Sequence, residues 1–202
     1  MRTERGLDRL ITFLDAVVAI AITLLVLPLI EVLADARADQ PLGDVLTSHL
    51  RQFGAFMLSF LVIARLWLAH HRLTERVGSY DGGVLTVNFG WALTIVVLPF
   101  STQLVAVYGT DRLAIGLYIG TIAGSSLCLS AVNVLLWRRS ALRRGGLDDG
   151  EANPAASLLT TVLLLVALVL GVLVPAVNYW GLFLLFLTGP LERLTGVSAR
   201  RG

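Results

Sequence analysis

Between Asp15 and Glu31 the chain carries no charged residue, and the intervening AVVAIAITLLVLPLI holds one threonine as its only polar side chain. Together with RLITFL ahead of Asp15, this makes an apolar helix long enough to enter a bilayer. The hydrocarbon core of roughly 30 Å takes about 20 helical residues. An ionisable side chain set into such a helix is costly, so Asp15 is expected to be paired or functional. With 3.6 residues per turn, Ile20, Thr23, Leu24 and Leu27 fall within about 100° of arc, centred roughly 130° from Asp15. The helix thus has a face with the carboxylate followed by Ala19, Ile22 and Val26, and a second face of bulky apolar side chains with one hydroxyl. Lipid contact or ordinary core packing is the plain reading of the second face.

The rest of the chain is of the same kind. Hydrophobic residues make up 56% and charged residues 15% of the 202 positions, against about 25% charged in a soluble domain. Mean hydropathy is +0.79. The expectation is one all-α integral membrane domain over residues 1–202, with six spans near 10–33, 51–69, 84–108, 113–137, 155–177 and 179–194. The sixth is short. The first apolar run is too long for the core of a secretory signal, so it is expected to stay in the protein. A net charge of +2 gives nucleic-acid binding no electrostatic support. The single cysteine, Cys128, lies in an apolar run and reads as a packed thiol.

Orientation follows from the loops. Arg2, Arg5 and Arg9 precede the first span. Arg72 and Arg76 follow the second, Arg138, Arg139, Arg143 and Arg144 the fourth, and Arg193, Arg200 and Arg201 lie at the carboxyl end. The loop over 34–50 carries Asp35, Asp39 and Asp44 with Arg37. Every second loop is basic, so the positive-inside rule puts both termini in the cytoplasm of a cell-membrane protein. The Arg138–Arg144 run reads as a topology determinant, with contact to lipid headgroups as the alternative. Gly145 to Pro154 reads as a flexible loop.

Gly116, Gly120 and Gly124 recur at four-residue spacing and allow close helix packing, within or between subunits. Pro99 and Pro175 are expected to kink or end their helices. Trp67, Trp91, Trp137 and Trp180 mostly fall near span ends, as interfacial anchors do. There is no Gly-rich phosphate loop, no nucleophile elbow and no Cys or His cluster of metal-ligand spacing. His70 and His71 are helix neighbours about 100° apart, a poor pair for one metal. Enzyme activity has no residues to rest on, and no cofactor is expected.

Asp15 needs a partner at matching depth. Arg9 precedes it on the same helix; Arg65, Trp67, His70 and His71 lie on the second span, which runs the other way. An Asp15–Arg65 pair would lower the cost of two buried charges. Arg65 can instead reach the cytoplasmic interface.

RLITFLD followed by AVVAIAITLLVLPL resembles the signature of the transmembrane protein 175 family, the lysosomal and bacterial potassium channels, whose first helix opens R-x-x-x-F-S-D. Arg9, Phe13 and Asp15 match; Leu14 stands where the family has serine. LSFLVIARLWLAHHR, Asn88 and LPFST extend the likeness through the third span. The second half is similar only in span count and hydrophobicity. The resemblance implies a homotetramer of six-span subunits in the membrane lipid, with a central pore lined by the first helices and potassium as the permeant ion. It also implies a constriction of apolar side chains in place of a carbonyl filter, with Ile20 at the constriction, Thr23 as the pore hydroxyl and Leu27 as a further ring. These are residues that the wheel groups with Leu24. It further implies a hydrogen-bonded network onto which Arg9, Asp15, Trp67 and His70 or His71 map, without the serine hydroxyl. A small secondary transporter and a non-transporting scaffold are the competing readings; neither a convincing internal repeat nor matched helix breaks favour the former.

Overall fold

The computed structural model describes residues 4–35, 40–109, 111–145 and 154–173. They are helical: α1 (Glu4–Leu24), α2 (Leu27–Asp35), α3 (Leu42–Ser48), α4 (Leu50–Thr74), α5 (Gly82–Tyr108), α6 (Arg112–Arg138), a 3-10 turn (Ser140–Leu142) and α7 (Ala155–Leu173). Five helical segments are long and apolar enough to cross a membrane: Arg5–Val32, which joins α1 and α2, then α4, α5, α6 and α7. The chain is a multi-pass membrane protein. The sixth expected span, Pro175 and Trp180 lie outside the described residues.

The first span is not one continuous helix. Leu25 and Val26 bond back to Ile22 and Thr23 at 3.3 and 3.2 Å, a tightened i−3 pattern. Pro28 explains it, because its nitrogen carries no hydrogen for the Leu24 carbonyl and its ring crowds that carbonyl. Leu27 therefore opens α2 instead of continuing the α1 wheel, which corrects its expected register. Pro99, by contrast, lies inside α5 without ending it. The hydroxyls of Ser101 and Thr102 both return to the Leu98 carbonyl, at 3.0 and 2.7 Å.

α6 packs between α5 and α7, and α5 also meets α1 and α4. Gly116 and Gly124 serve this packing inside the chain, while Gly120 between them faces open space. A Cβ on Gly116 would stand 3.4 Å from Val172 Cγ2, and one on Gly124 3.5 Å from Thr94 Cγ2. Buried hydroxyls cross-link the helices. Ser59 on α4 bonds Tyr118 of α6 at 2.9 Å and Thr102 of α5 at 2.7 Å. Thr161 of α7 meets Ser126 and Ser130 of α6, both at 2.9 Å. Such bonds between membrane helices average about 0.6 kcal/mol each.

At the end carrying the α4–α5 connection, two loops are stitched together. The Gly78 and Ser79 amides donate to the Leu142 carbonyl at 2.9 and 3.2 Å, and the Arg144 amide to the Arg76 carbonyl at 2.9 Å. Asp81 caps α5 by accepting from the Val84 amide at 2.9 Å and pairs with Arg139. Arg143 Nε and Nη2 donate to the Leu136 and Trp137 carbonyls at 2.8 and 2.7 Å, closing the end of α6. Two arginines of the Arg138–Arg144 run thus hold the protein's own chain.

Candidate functional site

α1 has two unlike faces. Leu7, Leu10, Leu14, Val18, Ala21 and Leu25 are buried. Their spacing of three and four residues is that of one helical stripe. Away from it, Ile20 is 59% exposed, and Leu24 and Leu27 are also uncovered. Thr23 lies among them, its hydroxyl donating to the Ile20 carbonyl at 2.8 Å. The four expected constriction residues therefore share exposure: three on α1, and Leu27 past the break. Phe13 is half exposed, its ring 5.9 Å from that of Phe89 on α5.

Asp15 is half-buried and accepts a hydrogen bond from the Trp67 indole, 2.9 Å from Nε1 to Oδ1. The contact joins α1 to α4 at the depth that the antiparallel pairing predicts. One turn further along α4, His71 stacks on Trp67 with centroids 5.4 Å apart and lies 3.8 Å from Glu75. Trp67, His71 and Glu75 thus form a stripe that runs from Asp15 to the helix end. Arg65 is half-buried on α4, its Cβ leaving the helix about 200° from that of Trp67. Arg9 is exposed on α1 and makes no ion pair among the described residues.

The histidine pair is divided. His70 is buried, and its Nε2 meets Asn88 Oδ1 at 2.9 Å, while Asn88 Nδ2 donates to the Val84 carbonyl at 2.9 Å. Its ring lies flat on Trp91, centroids 3.9 Å apart and 7° from parallel. Trp91, expected as an interfacial anchor, is instead 1% exposed in the core of α5. The sequence carried one signal for this role: Trp91 follows Asn88 by three residues and so shares its face. Trp137, half exposed at the end of α6, keeps the anchor position. Leu14 is fully buried and lines a small cavity with His70 and Asn88, so it contributes packing where a hydroxyl would contribute a hydrogen bond. No group of three metal-ligating side chains occurs among the described residues.

Residues 9–99 match the family profile described as endosomal/lysosomal potassium channel TMEM175. That stretch contains Arg9, Asp15, Trp67, His70 and Asn88. A protein described as a potassium channel of Chamaesiphon minutus is 32% identical over 143 residues, covering 69% of this chain and 68% of the relative. The chain belongs to the TMEM175 family. The mouse protein described as endosomal/lysosomal proton channel TMEM175 is 27% identical over 122 residues. The matched part spans about a quarter of the length of the mammalian TMEM175 relatives. The crystal structure of a Chamaesiphon minutus homolog of the lysosomal potassium-selective channel TMEM175 superposes with a TM-score of 0.72 at 24% identity, covering 94% of this chain and 98% of that one. The likeness shows a shared fold.

Proposed function

We propose that this TMEM175 member is a potassium-permeable cation channel of the cell membrane that works as a homotetramer, both termini cytoplasmic, with α1 of each subunit facing a central axis. The observation that carries this reading is the division of α1. One stripe is fixed in the core, and the opposite face presents Ile20, Thr23 and Leu24 uncovered, with Leu27 beyond the break. One helix cannot enclose a pore, but closed rotational symmetry uses one face several times. Four copies of Ile20 make an apolar ring, and a narrow ring of that kind gates by dewetting. Potassium sheds water more readily than sodium, so the ring gives some preference without carbonyl ligands.

The relative from Chamaesiphon minutus, which this chain covers over two thirds of its length, bears the name potassium channel and supports potassium as the ion. The mammalian relatives bear the name proton channel, so protons enter the test. Purified protein in liposomes under separate K⁺, Na⁺ and H⁺ gradients is expected to set a voltage that follows the K⁺ gradient most closely. A voltage that follows only the H⁺ gradient would refute potassium as the permeant ion. No flux from protein shown to be monomeric would refute the pore and favour the transporter or scaffold.

A further inference from the structure

We propose that a small cavity between α1 and α4 is a binding site for one ordered water, held by His70 Nδ1 and the Thr74 hydroxyl. The tautomer of His70 follows from its neighbour. Asn88 spends its amide N–H on the Val84 carbonyl, so its oxygen faces the imidazole and Nε2 must carry the proton. Nδ1 is then a bare acceptor on a ring that is 1% exposed, and it has no hydrogen-bond partner among the described residues. An orphaned buried acceptor costs about 1–3 kcal/mol, so a native fold tends to meet it.

His70 lines a cavity of about 10 Å³. A single water needs roughly 10–15 Å³ measured this way, with two to four polar partners. Thr74, also on the wall, lies one turn beyond His70 on the same face of α4. Its hydroxyl donates to the His71 carbonyl at 2.8 Å, which leaves its lone pairs available to accept. A water donating to Nδ1 and to Thr74 satisfies the buried acceptor. The α1 side of the cavity, including Leu10 and Leu14, is apolar, and so is Val132 from α6. Asn88 of α5 also lines the cavity, with its amide engaged by His70 and the Val84 carbonyl, so the water rests on α4 and makes no polar link to the first helix. This site is independent of the channel reading.

Val132→Ile adds one methylene to the cavity wall. In a dry cavity it fills space and leaves Tm equal or higher. In a hydrated one it expels the water, orphans Nδ1 and lowers Tm by roughly 2–12 °C. Thr74→Val should lower Tm similarly, with Thr74→Ser restoring it. The deciding measurement is solid-state NMR of protein carrying ¹⁵N-histidine in lipid. Water-to-nitrogen magnetisation transfer should reach His70 Nδ1 in wild type and vanish in Val132→Ile, with His49→Gln and His71→Gln variants assigning the signal. Absence of transfer in wild type overturns the proposal whatever Val132→Ile does to Tm, and so does a Val132→Ile Tm at or above wild type.

Discussion

The indole N–H of Trp67 donates to Oδ1 of Asp15 at 2.9 Å, tying the helix with the uncovered face to its neighbour α4. A hydrogen bond of this kind contributes about 0.5–1.5 kcal/mol net, and more where its loss leaves a partner unsatisfied. Trp67→Phe keeps most of the apolar contact and should cost about 1–2 kcal/mol. Asp15→Asn keeps an acceptor and should cost less. The double variant should lose less than the sum of the two, because Trp67→Phe removes the donor of the same bond that Asp15→Asn weakens. Thermal unfolding of the three variants measures this, and strictly additive losses would contradict a shared contact.

The His70–Asn88 bond tests a different asymmetry. Asn88→Leu leaves a buried imidazole N–H without its acceptor and should destabilise by about 1–3 kcal/mol. His70→Phe in the same protein removes the orphan and keeps a flat ring against Trp91. The double variant should recover much of the loss, since replacing both partners by apolar groups is close to neutral. A double variant no more stable than Asn88→Leu alone would show that the polar contact is not the source of the loss.

Gly78 is required by a backbone, not by a turn. A Cβ there would stand 2.7 Å from the Arg143 carbonyl oxygen and 2.8 Å from Arg144 Cα. Neither atom belongs to a flexible side chain, so Gly78→Ala should part the stitched loops and cost about 1–3 kcal/mol. Gly54, inside α4 with nothing within 4 Å of its added Cβ, is the control. Gly54→Ala should gain about 0.5–1 kcal/mol from helix propensity. Equal Tm values for the two variants would refute the steric account.

Asp81 gives the stitched end a pH dependence with a definite sign. The Val84 amide, and after it the Arg139 guanidinium, hold its carboxyl below the usual carboxylate value. A depressed folded-state pKa means stability that is fully present above the unfolded value near 3.9 and is lost as pH falls through the folded one. The Tm difference between wild type and Asp81→Asn should therefore be constant from pH 7 to about 5 and shrink only below about pH 4. A difference that disappears between pH 7 and 6 would contradict this origin.

Much of this arrangement was legible in residue order. Apolar runs bounded by arginines and aspartates mark α4, α5 and α6 to within a few residues, because a charge inside the bilayer is expensive at every position. Depth alone places the partner of Asp15 on the second span, since antiparallel helices bring equal distances from the interface together, but it does not choose Trp67 over Arg65. The division of His70 from His71 could not be assigned to partners in advance. Which of two neighbours turns inward depends on the rotation of α4 against α5, and that is set by packing around Trp91 and Ile95, both buried. Pro28 carried the signal for the α1–α2 break, but an unbroken apolar pattern on either side made one wheel look continuous.

The position of that break sharpens the test of the uncovered face. Ile20 sits four residues before Leu24, the last residue of α1, so a substitution there alters the exposed face within regular helix. Ile20→Ala should enlarge the proposed ring, and Ile20→Asn should hydrate it. Both should raise potassium flux in liposomes and blur discrimination against sodium, with Tm near wild type because the side chain is 59% exposed. Val18 is the control: it lies on the buried stripe at 4% exposure. Val18→Ala should lower stability by about 1–3 kcal/mol through the cavity it leaves, without widening the pore. Loss of discrimination in Val18→Ala with wild-type behaviour in both Ile20 variants would place the opposite face of α1 on the conduction path. Unchanged flux in all three would remove the first helix from it.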